Sequence, residues 1–529
     1  MVKDLRARPI GLKVGKCTQL TPVEEAKWNV YQTQTFLPSL ESLFKTDVLQ
    51  NTATYGIKLS DPIQTVLSDS SIQTISGKTV ETHRKTTSIL NAFRWMRGDY
   101  GSLGLPTSKE VSAEITAKLQ SPHTAAYVGA LASVVLSESD CPNFPKVYGV
   151  YCGIAKLFAF DISDDYEDLS ERQWFPQNIG KTFQLRMRPS VGTPQFQHTR
   201  ETRPKLLVEG DAALGEVADL EREHHSIQSA SVTEERGHPQ TDESDDDVST
   251  ASTEDVFAIE SCDCSTDGSF CEDDGNESEP FAWADISNIP VVTTVLEKCT
   301  GTLYDLLKLD EDPAHHMAFI AQVVVALAFA QRTFALTHND LHGNNIMYVP
   351  TDREFLSYSL DSVLYCIPTH GYIMKIIDFD RAVFQVRLTG MREAKTFMSD
   401  QFQEDEEAGG QYNTEPFYTQ KQPEFKANPS FDLARLATSL FWDMFPGGPA
   451  VASSHPLRSI LIRWMTLPDH TSVLFGKENP KHDRYHGFNQ YKAIARYCKD
   501  TAVPRKETLL LELFKVDKVP LGELVVIEP

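Results

Sequence analysis

From Arg200 to Glu279 the chain loses its hydrophobic periodicity, and this stretch constrains most what the remainder can fold into. It is rich in Ser, Thr, Asp and Glu and poor in aromatic residues. Such a segment has too little apolar area to offset the entropy of ordering it, so a long disordered insert is expected over 200–280. Residues 241–280 carry 15 Asp plus Glu and no Lys or Arg, a large share of the formal net charge of −24 for 529 residues. Without that block 59 acids face 50 bases, and the folding part is only mildly acidic. The acidic balance argues against nucleic acid and against anionic membrane surfaces as partners, because both require a basic footprint. Cys262, Cys264 and Cys271 cluster inside the block without a matching second knuckle, a weak basis for a metal site. Nine scattered cysteines read as reduced thiols.

On either side of the insert the pattern is regular. Thr54–Leu59 and Lys146–Gly153 read as strands, and Thr124–Leu136 as a helix of small residues. After the insert, the β-branched run Pro290–Leu296 reads as a strand. Gly301–Leu307 reads as a turn into a helix, and His315–Phe334 as a long helix whose apolar run is interrupted at Gln322. That run falls short of the ~20 residues that span a bilayer, so a buried core helix is expected. Helical spacing returns at 431–441 and 457–465. Strands first and helices later predict an α+β fold in two lobes. The expected boundaries are a strand-rich first lobe over 1–199, the insert over 200–280, the end of that lobe over 281–299, and a helical lobe over 300–529.

Two segments carry chemistry. Thr337–Tyr348 reads THNDLHGNNIMY, with Asp340 and Asn345 five apart, and Met374–Phe384 reads MKIIDFDRAVF, where an apolar strand delivers Asp378 into a turn. Phosphoryl transfer needs a carboxylate to orient the attacking hydroxyl, plus a carboxamide and a second carboxylate as hard oxygen ligands for Mg²⁺.

At these residues the chain resembles the protein-kinase superfamily. The resemblance makes Asp340 the catalytic base and Asn345 and Asp378 the Mg²⁺ ligands. It gives His338, Phe379 and Asp432 structural roles, the last bracing the catalytic loop. Val295, Leu296, Glu297, Lys298 and Cys299 would form the hinge whose backbone pairs with the adenine of ATP. More narrowly, the motifs and a hairpin insert resemble serine/threonine kinases of large nucleocytoplasmic DNA viruses. That likeness implies a viral protein in the host cytoplasm or the virion, not secreted. The DLHGNN and DFD forms also look like small-molecule phosphotransferases of the aminoglycoside and choline type.

The first lobe matches less well. Lys58, in YGIKL, is the candidate for the phosphate-contacting lysine, with Lys78, Lys85 and Lys109 as alternatives. The helix that should supply its acidic partner holds none, and Gly129 stands where the viral relatives carry an acid. Glu114 and Glu138 flank that helix. No GxGxxG loop is present. Asp380 replaces the Gly of DFG, and Asn339 replaces the Arg that pairs with a phosphorylated activation loop, so no phosphoswitch is expected at Thr396 or Ser399. His342 stands where most protein kinases carry Lys, and its ordinary pKa near neutrality predicts turnover that depends on pH. Asp400, Glu404, Asp405, Glu406 and Glu407 form an acidic run that reads first as a solvated loop and, as the alternative, as an attraction for a basic substrate peptide. The expected function is ATP- and Mg²⁺-dependent phosphorylation of Ser or Thr on a protein. The alternatives are a pseudokinase that binds partners and a small-molecule phosphotransferase.

Overall fold

A computed structural model of the protein describes residues 9–44, 54–100, 104–106, 113–139, 141–163, 165–188, 282–403, 406–412, 427–451, 453–476, 483–485, 487–498, 500–519 and 524–527. The expected insert, its three cysteines, Lys109, Glu404 and Asp405 lie outside the described residues. The fold is mixed α and β, strand-rich in the first half and helical later.

The chain divides into two compact units. The larger comprises Met1–Asn91, Tyr100–Lys156 and Asn288–Pro529, and holds both the early strands and the later helices. Its main sheet runs, by the parts of the strands that lie in this unit, Val30–Gln34, 147–156, 288–297, Thr79–Ser88, Ser71–Thr74, Ile63–Val66 in spatial order. The pair at its centre is antiparallel, with Val295 opposite Arg84 and Thr294 opposite Lys85. Val291, Val292 and Val295 are buried β-branched residues, as suits a strand covered on both faces. The lone lysine of the YGIKL run lies outside this sheet. Tyr55–Ile57 pairs instead with Val14–Lys16 in a separate two-stranded ribbon.

The helix Ala125–Ser137 is built of small and apolar residues and is buried on nearly every side. Pro313–Phe334 is the central core helix. Asp312 caps it by accepting the Ala314 N–H at 2.9 Å, and Ala335 ends it in a left-handed turn with φ 48°. Its length and composition would let it cross a membrane, but 94% of its apolar window is buried inside this fold. Gln322 explains its own place in that run. Its side chain accepts the Met374 N–H at 3.0 Å and donates to the Tyr372 carbonyl at 3.1 Å, tying the helix to the strand Tyr372–Ile376. Phe431–Met444, Leu457–Trp464 and Phe488–Tyr497 complete the helical part. A hairpin, Phe355–Leu360 with Val363–Pro368, is extended by Leu524–Ile527 and Lys515–Val516.

The smaller unit comprises Ala92–Asp99 and Leu157–Ser287. Within it the helices Tyr166–Glu171 and Trp174–Asn178 gather around Phe175, against Tyr166 and Phe183. The strand Gln184–Met187 pairs antiparallel with Ala282–Asp285, Met187 opposite Ala282.

Candidate active site

The strand Ile346–Pro350 pairs antiparallel with Tyr372–Ile376. The first follows Asp340 and Asn345, and the second precedes Asp378, so one small sheet aligns both chemical segments. The Ile377 N–H donates to the Asn345 carbonyl at 3.0 Å and sets Asn345 beside the turn that carries Asp378.

The loop 338–345 is braced from below. Asp432 is fully buried in the first turn of Phe431–Met444. Its carboxylate accepts the backbone N–H of His338 at 3.0 Å and of Asn339 at 2.9 Å. Burial raises the Asp432 pKa, against the pull of His338 and the two N–H donors. The His338 ring lies beside Phe379, centroids 5.1 Å apart, and Phe379 is buried against Phe144. The Asp340 N–H donates to His338 Nδ1 at 3.3 Å. The hydrogen of the ring must then sit on Nε2, which donates to the Ile377 carbonyl at 2.7 Å. Asn345 Nδ2 donates to the Asp340 carbonyl at 2.9 Å, leaving its amide oxygen for a ligand. Gly343 allows the Tyr304 ring to lie on the loop, since a Cβ there would sit 2.6 Å from the ring. Asn339 and Asp378 hold left-handed backbones, with φ 67° and 63°, conformations that short polar side chains tolerate best.

The electrostatics centre on two carboxylates. Burial pushes the Asp340 carboxyl upward, but the Arg381 guanidinium, with help from His342 and the Tyr491 hydroxyl, leaves its pKa below the ordinary value. Arg381 Nη1 is 3.6 Å from one Asp340 oxygen, and Tyr491 Oη donates to the other at 2.8 Å. Asp378 is half-exposed and ion-paired with Lys85, whose Nζ lies 2.6 Å from Oδ1. Burial opposes ionisation there too, and Lys85 overcomes it, holding the Asp378 carboxyl below the ordinary carboxylate range. Lys85 also lies 2.8 Å from Asp380 Oδ2. Burial would lower the Lys85 pKa, but the two carboxylates raise it. The donor set of Asn345 and Asp378 is hard oxygen and fits Mg²⁺, which keeps waters and phosphate oxygens for its remaining positions. No group of three or more His, Cys, Asp or Glu forms a self-sufficient metal site among the described residues.

Several of the expected residues stand in other surroundings than the sequence suggests. Lys58 is exposed, and its ammonium donates to the Lys16 carbonyl in the separate ribbon. Lys85, on the central strand Thr79–Ser88, is the lysine that reaches Asp378. Lys85 meets the turn from a strand of the main sheet, whereas Lys58 follows a strand of the separate ribbon. Burial drives His342 down to about 4, Arg435 adding to the effect against Asp340, so its ring is uncharged across pH 6–8. Most of the acidic run is spent inside the fold. Lys118 pairs with Asp400 at 2.7 Å and Glu406 at 2.8 Å, and Arg381 pairs with Glu407 at 3.3 Å. These three acids therefore do not offer a free surface to a basic peptide. Val295 and Leu296 are buried at the end of the central strand, and Glu297 pairs with Lys375 at 2.9 Å. Lys298 is exposed, and the Cys299 thiol is raised to about 11 by burial and then by Glu297. Tyr491, Arg381 and Asp380 were not assigned roles from the sequence. Tyr491 arrives on a helix 151 residues after Asp340, and nothing local to the motif announces it.

No family model matches the chain. An uncharacterized protein of Caenorhabditis elegans, ZK177.2, is 30% identical over 66 residues, 12% of this chain and 22% of that protein. The mouse serine/threonine-protein kinase haspin is 34% identical over 62 residues, 12% of this chain and 8% of that protein. The matched stretches thus span about a fifth of one relative and under a tenth of the other. The chain has a weak, partial similarity to a serine/threonine kinase. Neither relative is viral.

Proposed function

We propose that the protein is an ATP- and Mg²⁺-dependent protein kinase that transfers the γ-phosphoryl group to a Ser or Thr hydroxyl. Its architecture is read as two-lobed: the main sheet with the helix Ala125–Ser137 forms a small lobe, and the helices from Leu303 onward form a large one. The observation that carries the reading is the bracing of the loop. Asp432 holds two N–H groups, Asn345 holds the Asp340 carbonyl and His338 holds the Ile377 carbonyl. Together these bonds fix one carboxylate for the acceptor hydroxyl and one for a cation, as phosphoryl transfer demands. Asp340 orients the hydroxyl, Asn345 and Asp378 hold Mg²⁺ against the phosphates, and Lys85 contacts phosphate. The backbone of Val295–Cys299 receives adenine.

Transfer of ³²P from ATP to a protein acceptor, with Asp340→Asn as control, tests the reading. Transfer by the wild type and its loss in the variant is the expected result. One observation favours a second reading, that the protein is a pseudokinase which binds nucleotide or partners: the Tyr491 hydroxyl already engages Asp340. Thermal stabilisation by Mg²⁺·ATP without any phosphoryl transfer would select that reading.

A further inference from the structure

We infer that Asp380 is the positioning carboxylate of Lys85, taking over from within the metal-binding turn the task that protein kinases give to a helix glutamate. This rests on the kinase reading. In that family the strand lysine is oriented by an ion pair with a glutamate on the neighbouring helix. Here the neighbouring helix, Ala125–Ser137, has no acid at all. Lys85 instead places its ammonium between Asp378 Oδ1 at 2.6 Å and Asp380 Oδ2 at 2.8 Å. Thr87, on the same strand, donates from its hydroxyl to Asp380 Oδ2 at 3.4 Å.

The second observation is steric and independent of charge. Gly129 lies inside the helix, where glycine weakens a helix relative to alanine. Its backbone has no left-handed conformation to justify it. A Cβ at this position would stand 1.9 Å from Asp380 Oδ1 and 3.3 Å from the Asp380 Cα. The space a helix side chain would fill is filled by the Asp380 carboxylate. The two departures, no acid on the helix and an acid in place of the DFG glycine, are therefore one exchange. The turn supplies the carboxylate in place of the helix, and the helix supplies the glycine in place of the turn.

This exchange has a regulatory consequence. In the usual arrangement the pair forms only when the helix swings in, so helix position switches activity. With both carboxylates on one turn, Lys85 is oriented without any helix movement. The absence of an arginine at Asn339 fits the same constitutive design.

The test is a swap. Asp380→Asn keeps the side-chain size and removes the charge; it should raise the ATP KM about tenfold, the scale of one charge-assisted contact. The double variant Gly129→Glu/Asp380→Gly returns the carboxylate to the helix and should recover most of that loss, whereas Gly129→Glu alone should not fold or bind ATP well. Reactivity of Lys85 toward a mild amine-acylating reagent, read by mass spectrometry on the full chain, gives a readout free of activity. It should rise in Asp380→Asn and fall back in the double variant, with Lys58 unchanged. Should the double variant not fold, Asp380→Asn decides alone through both readouts. An unchanged ATP KM and unchanged Lys85 labelling in Asp380→Asn would overturn the assignment. If labelling responds as stated but wild type transfers no phosphate, the Asp380 pairing stands and the kinase reading falls.

Discussion

His342 shows how the surroundings of one side chain remake its chemistry. A free imidazole titrates near neutrality, so the sequence alone suggests a charge that comes and goes between pH 6 and 8. In the fold, burial penalises the cation, and the pKa falls to about 4. A group so depressed takes up a proton only below that value, well outside the working range. The loop then carries no positive charge at this position. His342→Gln should give a kcat/KM profile of the same shape as wild type between pH 6 and 8, in a ³²P-transfer assay. A wild-type inflection in that window that vanishes in the variant would show the ring titrating there after all. Tyr491 makes the complementary case, since its hydroxyl fixes one oxygen of Asp340 while its ring faces the Arg435 guanidinium, 4.7 Å from the centroid. Tyr491→Phe keeps the ring and loses the hydroxyl, with its bond to Asp340 and its contact with the Arg435 guanidinium. We expect kcat to fall by about tenfold, in line with one hydrogen bond to a charged group, while the ATP KM stays put.

At the scale of the element, polarity inside an apolar helix marks a structural joint. Gln322 is fully buried in Pro313–Phe334 and serves two backbone groups of the strand that leads to Asp378. Gln322→Leu preserves volume but leaves the Met374 N–H and Tyr372 carbonyl without their partner. Each orphaned group costs about 1–3 kcal/mol, so the midpoint of urea unfolding should drop clearly with little change in slope. A neutral result would mean that the strand finds other partners. Element identity itself was legible. The helices at Ala125, Pro313, Phe431 and Leu457 and the strand before residue 297 follow from period and composition. The lysine that reaches Asp378 was not legible, and the reason is physical. Thr79–Ser88 reads THRKTTS at its end, polar at nearly every position, because one face of that strand meets a charged site rather than an apolar core. Lys58 sits among apolar neighbours and so reads as the better strand lysine, yet its ribbon is a separate one. The motif residues Asp340, Asn345 and Asp378 were visible because their spacing is local. Tyr491 and the Gly129–Asp380 fit were not, because each joins residues more than 150 apart in the chain.

At the scale of the whole molecule, the long acidic stretch raises the question of what the fold needs. Met187 stands opposite Ala282 in an antiparallel ladder, so the 94 residues between them leave and return at adjacent points. In topological terms they connect two paired antiparallel strands. A loop of that length carries a closure entropy that grows only with the logarithm of its size. Replacing residues 190–280 by a five-residue turn shortens the loop from 94 residues to eight, about twelvefold or roughly three and a half halvings, and each halving recovers about 0.6 kcal/mol. The truncated protein should therefore be more stable by about 2 kcal/mol. Removing the block also strips 15 acids from 241–280, easing the self-repulsion of a chain with a net charge of −24. Binding of Mg²⁺·ATP, followed by thermal shift, should match the full chain, because Asp340, Asn345, Asp378 and Lys85 all lie in the larger compact unit, outside the excised stretch. A truncated chain that unfolds at lower urea concentration than the full one would show that 190–280 contributes contacts to the fold rather than merely spanning it.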